Sequence, residues 1–527
     1  WEGIDGSTVF THFPPVETYN ATFEAWELAH AVRTFSDKGP ATRSLMPFGH
    51  GDGGGGPTPA MLERYRRVRD LEGSPRVEIE SPAAFFDAAI ADYPDAPRWV
   101  GELYFEMHRG TFTSQAKTKL GNRRSELLLR EAELWCTTAA LAAGDSGSAG
   151  PYPADDLDRL WKTVLLHQFH DILPGSSIGW VHREAEIVYA QVAGELESVI
   201  NSALLALAGG RVSVANPAPH TVDGVVILES PSLASDPLCQ VLSDGRVAAR
   251  LTVPALGVVV ADPLEPPAGE AGVTATPSLL DNGILRVEID AEGLVTSIVD
   301  RRVDREVLAP GCRGNQLQLH HDLPNEYDAW DIEEFYRRKV DDLVGVDSIE
   351  VLDNGPLVGR VQVTRSFRSS RITQVLELRA GSARLDVVCE VDWHEHERLL
   401  KVAFPLDLHT DEITREIQFG HLRSAIHTNT SWDSARFEVC AHRWVDVAEP
   451  GYGVALLNDG KYGHDATRER VQAPGGGEVP ITVLRLSLLR GARYPDPEAD
   501  QGRHRFTYSL LPHAGDFRSG GVVAEGY

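Results

Sequence analysis

The sequence contains 527 residues, of which 50 are basic and 77 acidic, so its formal net charge is -27. This charge argues against nucleic acids and anionic membrane surfaces as partners and favours a neutral or cationic ligand. The length exceeds what one hydrophobic core usually supports, and we expect three or four domains.

Residues 1–108 alternate short apolar runs with helical patterns. Strand followed by helix in this order predicts a parallel sheet flanked by helices, the C-terminal part of an α/β barrel. Thr58 before Pro59 predicts the start of one helix, because an N-cap threonine precedes a proline at the first helical position. The predicted strands are Ser7–Phe13, Arg43–Gly49, Arg76–Glu80 and Trp99–Phe105, and the predicted helices are Phe23–Thr34, Pro59–Leu71 and Ala83–Asp92.

Residues 109–210 show the period of long amphipathic helices. One apolar face is predicted to consist of Leu157, Leu160, Trp161, Val164 and Leu165, whose spacing is helical. Pro174-Gly175 ends this helix, another helix continues to Gly209-Gly210, and a third precedes it at Ser125–Ala143. The simplest packing is a three-helix bundle.

From residue 211 onward the pattern predicts β-strands, with turns of positive φ at Asp281–Gly283 and Asp353–Gly355. We therefore predict a multidomain α/β + α + β protein with a small β-domain at 211–270 and a large β-sandwich domain at 271–527. A proline-rich linker, Asp262–Pro277, separates the two. The predicted strands are Arg211–Ala215, Gly224–Leu228, Leu251–Ala261, Ile284–Asp290, Arg360–Thr364 and Arg384–Val391.

The five cysteines lie far apart, are odd in number and form no CxxC pair. A disulfide framework is therefore not expected, and a reducing, cytoplasmic compartment is. No apolar run reaches the roughly 18 residues that a membrane span needs, and no signal peptide is visible. The chain starts at Trp1 without a methionine and stops at Tyr527 in mid-pattern, so we expect it to be a fragment of a longer protein.

The segment LHQFHDILPGSS places potential metal ligands beside a carboxylate where a helix must stop. His167 and His170 lie three apart, and Asp171 follows directly. Neutral imidazole suits zinc, and a carboxylate either binds the metal or orients a ligand. The alternative is that both histidines only cap carbonyls of the last helical turn. A zinc hydrolase closed by HxxH would need a further nearby ligand such as a helical glutamate, and none is evident. In addition, the chain has His167-Gln168 where a metalloprotease has His-Glu.

A glycine-rich loop, Gly49–Gly56, follows the apolar run that ends at Phe48. In parallel α/β folds the C-terminal ends of strands carry the active site, and glycines let the backbone approach a ligand. Asp52 in this loop is a candidate acid or base. No Gly-Lys-Ser/Thr follows, so a nucleotide P-loop is not supported. The alternative is a flexible loop with one solvated aspartate.

Two further segments combine aromatic and polar residues in the way that sugar sites do. THFPPVETY ends at Tyr19, and HHDLPNEYDAWD contains Tyr327 and Asp328. Aromatic rings stack on sugar faces, and polar groups bind hydroxyls. Each segment alone is also compatible with an ordinary packed loop.

Five runs follow one another along nearly the whole chain: WEGIDGSTVFTHFPPVETYNA, FGHGDGGGGPTPAMLER, GELYFEMHRGTFTSQAKTKLGNRRSELLLREAELW, LLHQFHDILPGSSIGWVHREAE and NTSWDSARFEVCAHRWVDVAEPGYGVALLNDGKYGH. Together and in this order they resemble glycoside hydrolase family 38, the retaining class II α-mannosidases, and most closely the bacterial and cytosolic branch. The resemblance implies a seven-stranded α/β barrel, of which 1–108 would be the C-terminal part, then a three-helix bundle at 109–210 and β-sandwich domains.

The resemblance also implies one Zn²⁺ ion held by two histidines and two aspartates. The HD step makes His170 the expected zinc ligand in this chain, with Asp171 touching substrate hydroxyls, and His167 reverts to a structural role. The other three ligands, one of them the nucleophilic aspartate, are expected upstream of Trp1. As an isolated chain, the sequence is therefore expected to be inactive.

The mechanism implied uses two carboxylates about 5–5.5 Å apart, a nucleophile and an acid/base. Asp52 corresponds to the acid/base, although the local spacing differs by one residue from the Golgi pattern. Tyr19 matches a tyrosine that contacts the sugar, and Tyr327 and Asp328 would approach the site from the β-domain. The expected partners are α-mannoside oligosaccharides or glycoconjugates and a further copy of the chain in a homo-oligomer, with no nucleic acid and no membrane.

A non-catalytic alternative remains open at this point. The β-rich half could make the chain a carbohydrate-binding or interaction protein without activity of its own. The coding sequence upstream distinguishes the two, because the enzyme requires an in-frame His-x-Asp step followed by a nucleophilic aspartate.

Overall fold

The structure is a computed structural model that describes residues 1–144, 152–473 and 475–527. The chain divides into two compact units, Trp1–Tyr104 and Phe105–Tyr527. None of the helices in the described ranges is both long and apolar enough to cross a membrane.

The first unit contains three helices whose starts follow from their sequences. Thr58 accepts a hydrogen bond from the Met61 amide at 3.3 Å, and Pro59 occupies the first helical position, so the predicted start is confirmed. A small apolar cluster around Ala21 and Phe48 forms part of its core. The helices are α1 (Ala25–Thr34), α2 (Pro59–Val68) and α3 (Pro82–Asp92).

The four strands predicted in the first unit are wrong, because residues 1–104 contain only isolated bridges. Glu2 pairs with Val100, and Ala21 pairs with Phe48, both in parallel. Each contact is one residue long, so no ladder forms. Pro47, within one predicted strand, offers no N–H to extend the pairing of Phe48. Alternating polarity identified segments with a buried side, but it does not supply hydrogen-bonded neighbours.

The second unit opens with three long helices that share one apolar core. Trp135, Leu160 and Leu196 are among the buried side chains at their common interface. The predicted apolar face is only partly confirmed: Leu160 is buried, but Leu165 is 57% exposed. The helices are α4 (Ala116–Ala143), α5 (Ala154–His167) and α6 (Gly179–Ala208).

Two small antiparallel sheets follow the helices. The strand predicted at Leu251–Ala261 is two strands, because the chain turns at Pro254 and Leu256 has a φ of 52°. The two-stranded sheet pairs β1 with β5, and the three-stranded sheet has the order β2-β4-β3. The strands are β1 (Ser213–Asn216), β2 (Val222–Leu228), β3 (Gln240–Val241), β4 (Val247–Val253) and β5 (Gly257–Val260).

A five-stranded sheet of order β10-β9-β8-β7-β6 comes next. Its β7–β8 turn is confirmed at Asp281–Gly283, where Gly283 has a φ of 80° and its amide donates to Asp281 Oδ1 at 2.9 Å. The positive φ expected at Gly355 is absent, and the Gln240 side chain occupies the space of a Cβ there, with its Cδ 2.3 Å away. The strands are β6 (Thr274–Thr276), β7 (Leu279–Asp281), β8 (Leu285–Ile289), β9 (Val295–Asp300) and β10 (Arg305–Glu306).

The remaining strands form a six-stranded sheet, β12-β11-β17-β24-β23-β20, and a nine-stranded sheet, β13-β14-β15-β16-β25-β22-β21-β18-β19. Phe404 of the smaller sheet and Tyr508 of the larger sheet meet edge to face at 6.3 Å. The strands are β11 (Gln316–His321), β12 (Val340–Asp342), β13 (Ser348–Asn354), β14 (Val358–Phe367), β15 (Ser370–Arg379), β16 (Leu385–Trp393), β17 (Arg398–Leu406), β18 (Glu412–Ile417), β19 (Gly420–Ala425), β20 (Val439–Cys440), β21 (Trp444–Glu449), β22 (Tyr452–Asn458), β23 (Gly463–Gln472), β24 (Glu478–Arg490) and β25 (Gly502–Ala514). Two short helices complete the fold, α7 (Ser431–Ala435) and α8 (Val522–Gly526).

Candidate active site

The glycine-rich loop of the first unit is closed at its base by a bridge between His50 and Gly56. The His50 amide donates to the Gly56 carbonyl at 2.9 Å. Gly49, Gly53 and Gly56 have positive φ, which explains why glycine is used so densely here. Asp52 lies exposed in the loop that this bridge closes.

Two neighbouring side chains hold the Asp52 carboxylate. Tyr19 Oη donates to Oδ1 at 2.9 Å, and Asn20 Nδ2 lies 3.4 Å from Oδ2. The same Asn20 accepts a hydrogen bond from the Gly51 amide at 2.6 Å through its own Oδ1. Tyr19 and Asp52, two residues that the sequence singled out, therefore form one group. Asn20 was not singled out from the sequence, and its position directly after Tyr19 is the signal that could have identified it.

This group leaves no room for a side chain at position 51. A Cβ there would lie 2.7 Å from Asn20 Oδ1 and 3.1 Å from a ring carbon of Tyr19. Gly51 thus permits the close approach that orients both donors toward Asp52.

In the second unit, the chain leaves α5 at His167 and turns through His170 and Asp171. His167 Nδ1 contacts the Thr163 carbonyl at 2.8 Å, and its ring packs against Tyr189 at 5.4 Å. His170 points away from this contact, with 77% of its side chain exposed. The two histidines therefore do not form a local metal pair.

Asp171 is oriented by the loop that follows it. Its Oδ1 accepts a hydrogen bond from Ser176 Oγ at 2.7 Å, and its Oδ2 lies 3.2 Å from His170 Nε2. Its carbonyl accepts from Ser177 Oγ at 2.9 Å. This leaves one carboxylate oxygen on the same side as the imidazole.

His170 and Asp171 have the donor chemistry that zinc accepts, an imidazole nitrogen and a carboxylate oxygen. Zinc in proteins takes three or four protein ligands. No group of three or more His, Cys, Asp and Glu residues that could hold a metal lies in the described parts of the chain. These residues therefore do not make up a complete zinc site by themselves.

Tyr327 and Asp328 lie on the loop after β11. Tyr327 has a φ of 55°, is 58% exposed, and its carbonyl accepts hydrogen bonds from the amides of Trp330 and Asp331 at 2.8 and 3.0 Å. Asp328 accepts a hydrogen bond from the Arg493 amide and lies 3.6 Å from the Arg490 guanidinium. Asp328 is thus tied to the protein, whereas the Tyr327 ring is presented to solvent.

The first turn of α4 is capped from a distant part of the chain. Asp500 accepts hydrogen bonds from the amides of Gln115 and Ala116 at 2.8 and 2.7 Å. A carboxylate suits this position because the first helical amides lack partners and carry partial positive charge. Burial nevertheless raises the pKa of Asp500 to about 6.

A cavity of about 590 Å³ lies against the nine-stranded sheet, but none of the candidate residues lines it. Its walls carry ion pairs such as Arg379 with Glu377 at 2.7 Å and Arg384 with Asp386 at 2.8 Å. These charged side chains already pair with each other within the sheet. We therefore do not assign the candidate site to this cavity.

Three family models match this chain in order. The model "Glycosyl hydrolases family 38 N-terminal domain" matches residues 1–102, "Alpha mannosidase middle domain" matches 106–207, and "Glycosyl hydrolases family 38 C-terminal domain" matches 280–498. The chain belongs to glycoside hydrolase family 38. The resemblance read from the five sequence runs is therefore confirmed.

Curated relatives of this family 38 chain carry the name α-mannosidase. Alpha-mannosidase 2C1 of Homo sapiens is 39% identical over 542 residues, which cover 100% of this chain and 49% of the relative. Alpha-mannosidase G of Dictyostelium discoideum is 33% identical over 586 residues, covering 100% of this chain and 52% of the relative. The chain thus spans about half the length of the curated relatives it matches.

A solved structure supports the fold. The crystal structure of an α-mannosidase from Enterococcus faecalis V583 matches with a TM-score of 0.72 at 15% identity, covering 95% of this chain and 66% of that one. At this identity the likeness concerns the fold alone. It agrees with a mixed α/β multidomain protein rich in antiparallel sheets.

Proposed function

We propose that the full-length protein is a retaining α-mannosidase that removes terminal α-linked mannose from oligosaccharides or glycoconjugates. The observation that carries this proposal is the Asp52 carboxylate, held by Tyr19 and Asn20 on a glycine-rich loop. A neutral, hydroxyl-rich substrate also suits a chain of net charge -27.

In the proposed mechanism Asp52 handles the proton. A second carboxylate attacks the anomeric carbon while the bond to the leaving oxygen breaks, and Asp52 gives its proton to that oxygen. In the second step Asp52 takes a proton from water, whose oxygen displaces the enzyme carboxylate. Tyr19 and Asn20 fix the direction of the Asp52 carboxylate, and Asp171, with Tyr327 and Asp328, binds and orients sugar hydroxyls.

The direct test is an assay of the full-length protein on phenyl α-mannoside, whose leaving group needs protonation. The wild type is expected to hydrolyse it, and Asp52→Asn should lower kcat/KM by roughly 10²–10⁴-fold, the usual contribution of acid/base catalysis. Asp70→Asn is the matched control, because Asp70 is 73% exposed on the same unit and pairs only loosely with Arg76 at 3.7 Å. Full activity of Asp52→Asn would remove Asp52 from the mechanism, and an inactive wild type would contradict the proposed function.

We also propose that His170 supplies one ligand of a zinc site. Its support is the 77% exposed imidazole beside the Asp171 carboxylate. When bound, zinc would act as a Lewis acid toward substrate hydroxyls. The proton transfers assigned to Asp52 do not require zinc.

The metal proposal is tested by counting zinc in the purified full-length protein. We expect about one zinc per chain in the wild type, a clear loss in His170→Ala, and no loss in His167→Ala, because His167 is engaged with Thr163 and Tyr189. Equal zinc content in both variants would show that His170 is not a ligand, whatever the activity.

For the architecture we propose four domains: 1–108 as the C-terminal part of a seven-stranded α/β barrel, 109–210 as a three-helix bundle, 211–270 as a small β-domain and 271–527 as a large β-sandwich domain. The parallel bridges between Glu2 and Val100 and between Ala21 and Phe48 support the barrel. The shared apolar core of α4, α5 and α6 supports the bundle.

We propose a reducing, cytoplasmic location. None of the five cysteines, all of which lie in the described residues, forms a disulfide. Burial raises the pKa of the Cys389 thiol to about 12, so this residue is held as an unreactive thiol.

A further inference from the structure

A buried lysine ties down the loop that carries His170 and Asp171. Lys119 in the first turns of α4 is 4% exposed. Its Nζ donates to the Ser114 carbonyl at 2.5 Å and to the carbonyls of Leu173 and Pro174 at 3.0 Å each. An ammonium has three hydrogen-bond donors, so all the donors of Lys119 are engaged. Two of its three acceptors lie just after Asp171.

Packing alone does not explain a lysine at this place. Burying an ammonium is costly, and a methionine would fill similar volume without a charge to desolvate. The cost is visible in the pKa of Lys119, which burial lowers to about 7 although the Asp500 carboxylate opposes the shift. All three hydrogen-bond acceptors are backbone carbonyls. The lysine therefore serves to hold backbone in place.

The loop that carries Tyr327 and Asp328 is tied to the same point by a second buried cation. Arg490 donates to Ser114 Oγ at 3.1 Å and to the Ala329 carbonyl at 3.2 Å. It also donates to the Asp331 carbonyl at 2.5 Å. Ser114 is thus contacted by Lys119 through its carbonyl and by Arg490 through its hydroxyl. We call Ser114, Lys119 and Arg490 the Ser114 junction.

Two glycines show how tightly the loops close on this junction. A Cβ at Gly175, which has a φ of 90°, would lie 2.4 Å from the Ser114 carbonyl oxygen. A Cβ at Gly110 would lie 2.5 Å from Arg490 Nη1. The backbone around Leu173 and Pro174 therefore packs closely against Ser114.

We propose that Lys119 is a positioning residue that holds the His170–Asp171 loop in register with the Tyr327–Asp328 loop through the Ser114 junction. The chemical role of the two loops rests on the proposed mannosidase function. The mechanical link does not, because it follows from the hydrogen bonds of Lys119 and Arg490.

The test compares Lys119→Met with Lys117→Met in the full-length protein. Lys117 is the matched control: it lies two residues away on α4, is partly exposed, and makes one 3.4 Å contact with Glu186. Hydrogen exchange of the amides of Leu173, Gly175 and Ser176 reports on the loop, since each is hydrogen-bonded within it.

We expect Lys119→Met to raise exchange in 172–176 by tenfold or more while the rest of α4 keeps its protection, and Lys117→Met to leave 172–176 unchanged. On an aryl α-mannoside, Lys119→Met should lower kcat/KM by about 10²-fold, mainly through KM, because a displaced Asp171 loses substrate hydroxyls. Lys117→Met should match the wild type.

Wild-type exchange in 172–176 of Lys119→Met would overturn the proposal, as would a uniform rise over all of α4, which would indicate a merely structural role. A local rise in exchange with unchanged kcat/KM would uphold the link and contradict the substrate role of Asp171. If Lys119→Met does not fold, Lys119→Gln replaces it, because an uncharged amide has two donors instead of three and reaches less far toward the carbonyls of Leu173 and Pro174. It should give the same local rise in exchange, and unchanged exchange would overturn the proposal.

Discussion

Asp500 shows how one residue can fix the start of a long helix from far away in sequence. It lies 384 positions from Ala116, whose amide it accepts. The carboxylate is fully buried, and its pKa is raised to about 6 from the ordinary 3.8. The folded protein therefore keeps the Asp500 proton to a higher pH than the unfolded chain does.

This shift predicts a pH dependence with a definite sign. Between about pH 4 and pH 6 the folded state binds more protons, so the contribution of Asp500 to the free energy of unfolding falls as pH rises. The contribution is complete below pH 4 and lost above pH 6, a change of roughly 2–3 kcal/mol for a gap of about two pKa units. Asp500→Asn does not titrate. The stability difference between wild type and Asp500→Asn should therefore shrink by that amount, as measured by thermal unfolding across this range.

Asp516 offers a comparison of opposite sign. It lies on an exposed turn, where the Ser519 amide and hydroxyl lower its pKa. The stability that this turn contributes should grow with rising pH over the acidic range.

A stability difference between wild type and Asp500→Asn that stays constant from pH 4 to pH 7 would contradict the raised pKa of Asp500.

Sequence alone identified residues whose chemistry is conspicuous, and it missed the residues that support them. Tyr19 and Asp52 were singled out separately, and the structure joins them by one hydrogen bond. Ser176 and Asn20 escaped notice because serine and asparagine are common in loops. Arg490 lies 376 positions from Ser114, and no local pattern records such a contact.

Helices α4 and α6 pack closely at a position where α4 has a glycine. A Cβ at Gly121 of α4 would lie 2.6 Å from the ring of Tyr189 on α6. In contrast, Gly194 of α6 has nothing within 4 Å of the position that a Cβ would take. The two glycines therefore differ only in whether a neighbouring helix occupies the space.

We predict opposite effects of the same substitution at these sites. Gly121→Ala should destabilise the protein by roughly 1–3 kcal/mol, because the added methyl forces the helices apart. Gly194→Ala should stabilise it by about 0.5–1 kcal/mol through helix propensity. Thermal unfolding of the two variants measures both. A melting temperature that rises for Gly121→Ala would show that the contact with Tyr189 yields easily.

Elements were predictable where the local sequence decides them. The N-cap at Thr58 and the Asp281–Gly283 turn depend on neighbouring residues, and both are present as predicted. The strands of the first unit were not predictable in the same way, since a strand requires partners from elsewhere in the chain. Leu165 fell outside the buried face for a related reason: periodicity gives the direction of a face but not its width.

For the whole molecule, the order of the sequence motifs along the chain was more informative about the family than any single motif. The alternation of polarity after residue 211 predicted β-strands, and the structure forms antiparallel sheets there. It did not give the strand order, in which β16 pairs with β25 across more than a hundred residues. The family followed from five runs in consistent order, whereas the HQFHD segment alone was compatible with both a metal pair and a helix cap.

The proposed role of Asp52 is to protonate the leaving oxygen of an α-mannoside. Two aryl α-mannosides, one with dinitrophenol as leaving group and one with phenol, separate this role from any other in the full-length protein. Dinitrophenolate departs without protonation, and phenolate does not. Asp52→Asn should therefore lower kcat/KM by roughly 10²–10⁴-fold for the phenyl substrate and by less than about tenfold for the dinitrophenyl substrate. An equal loss on both substrates, or no loss on either, would contradict this role.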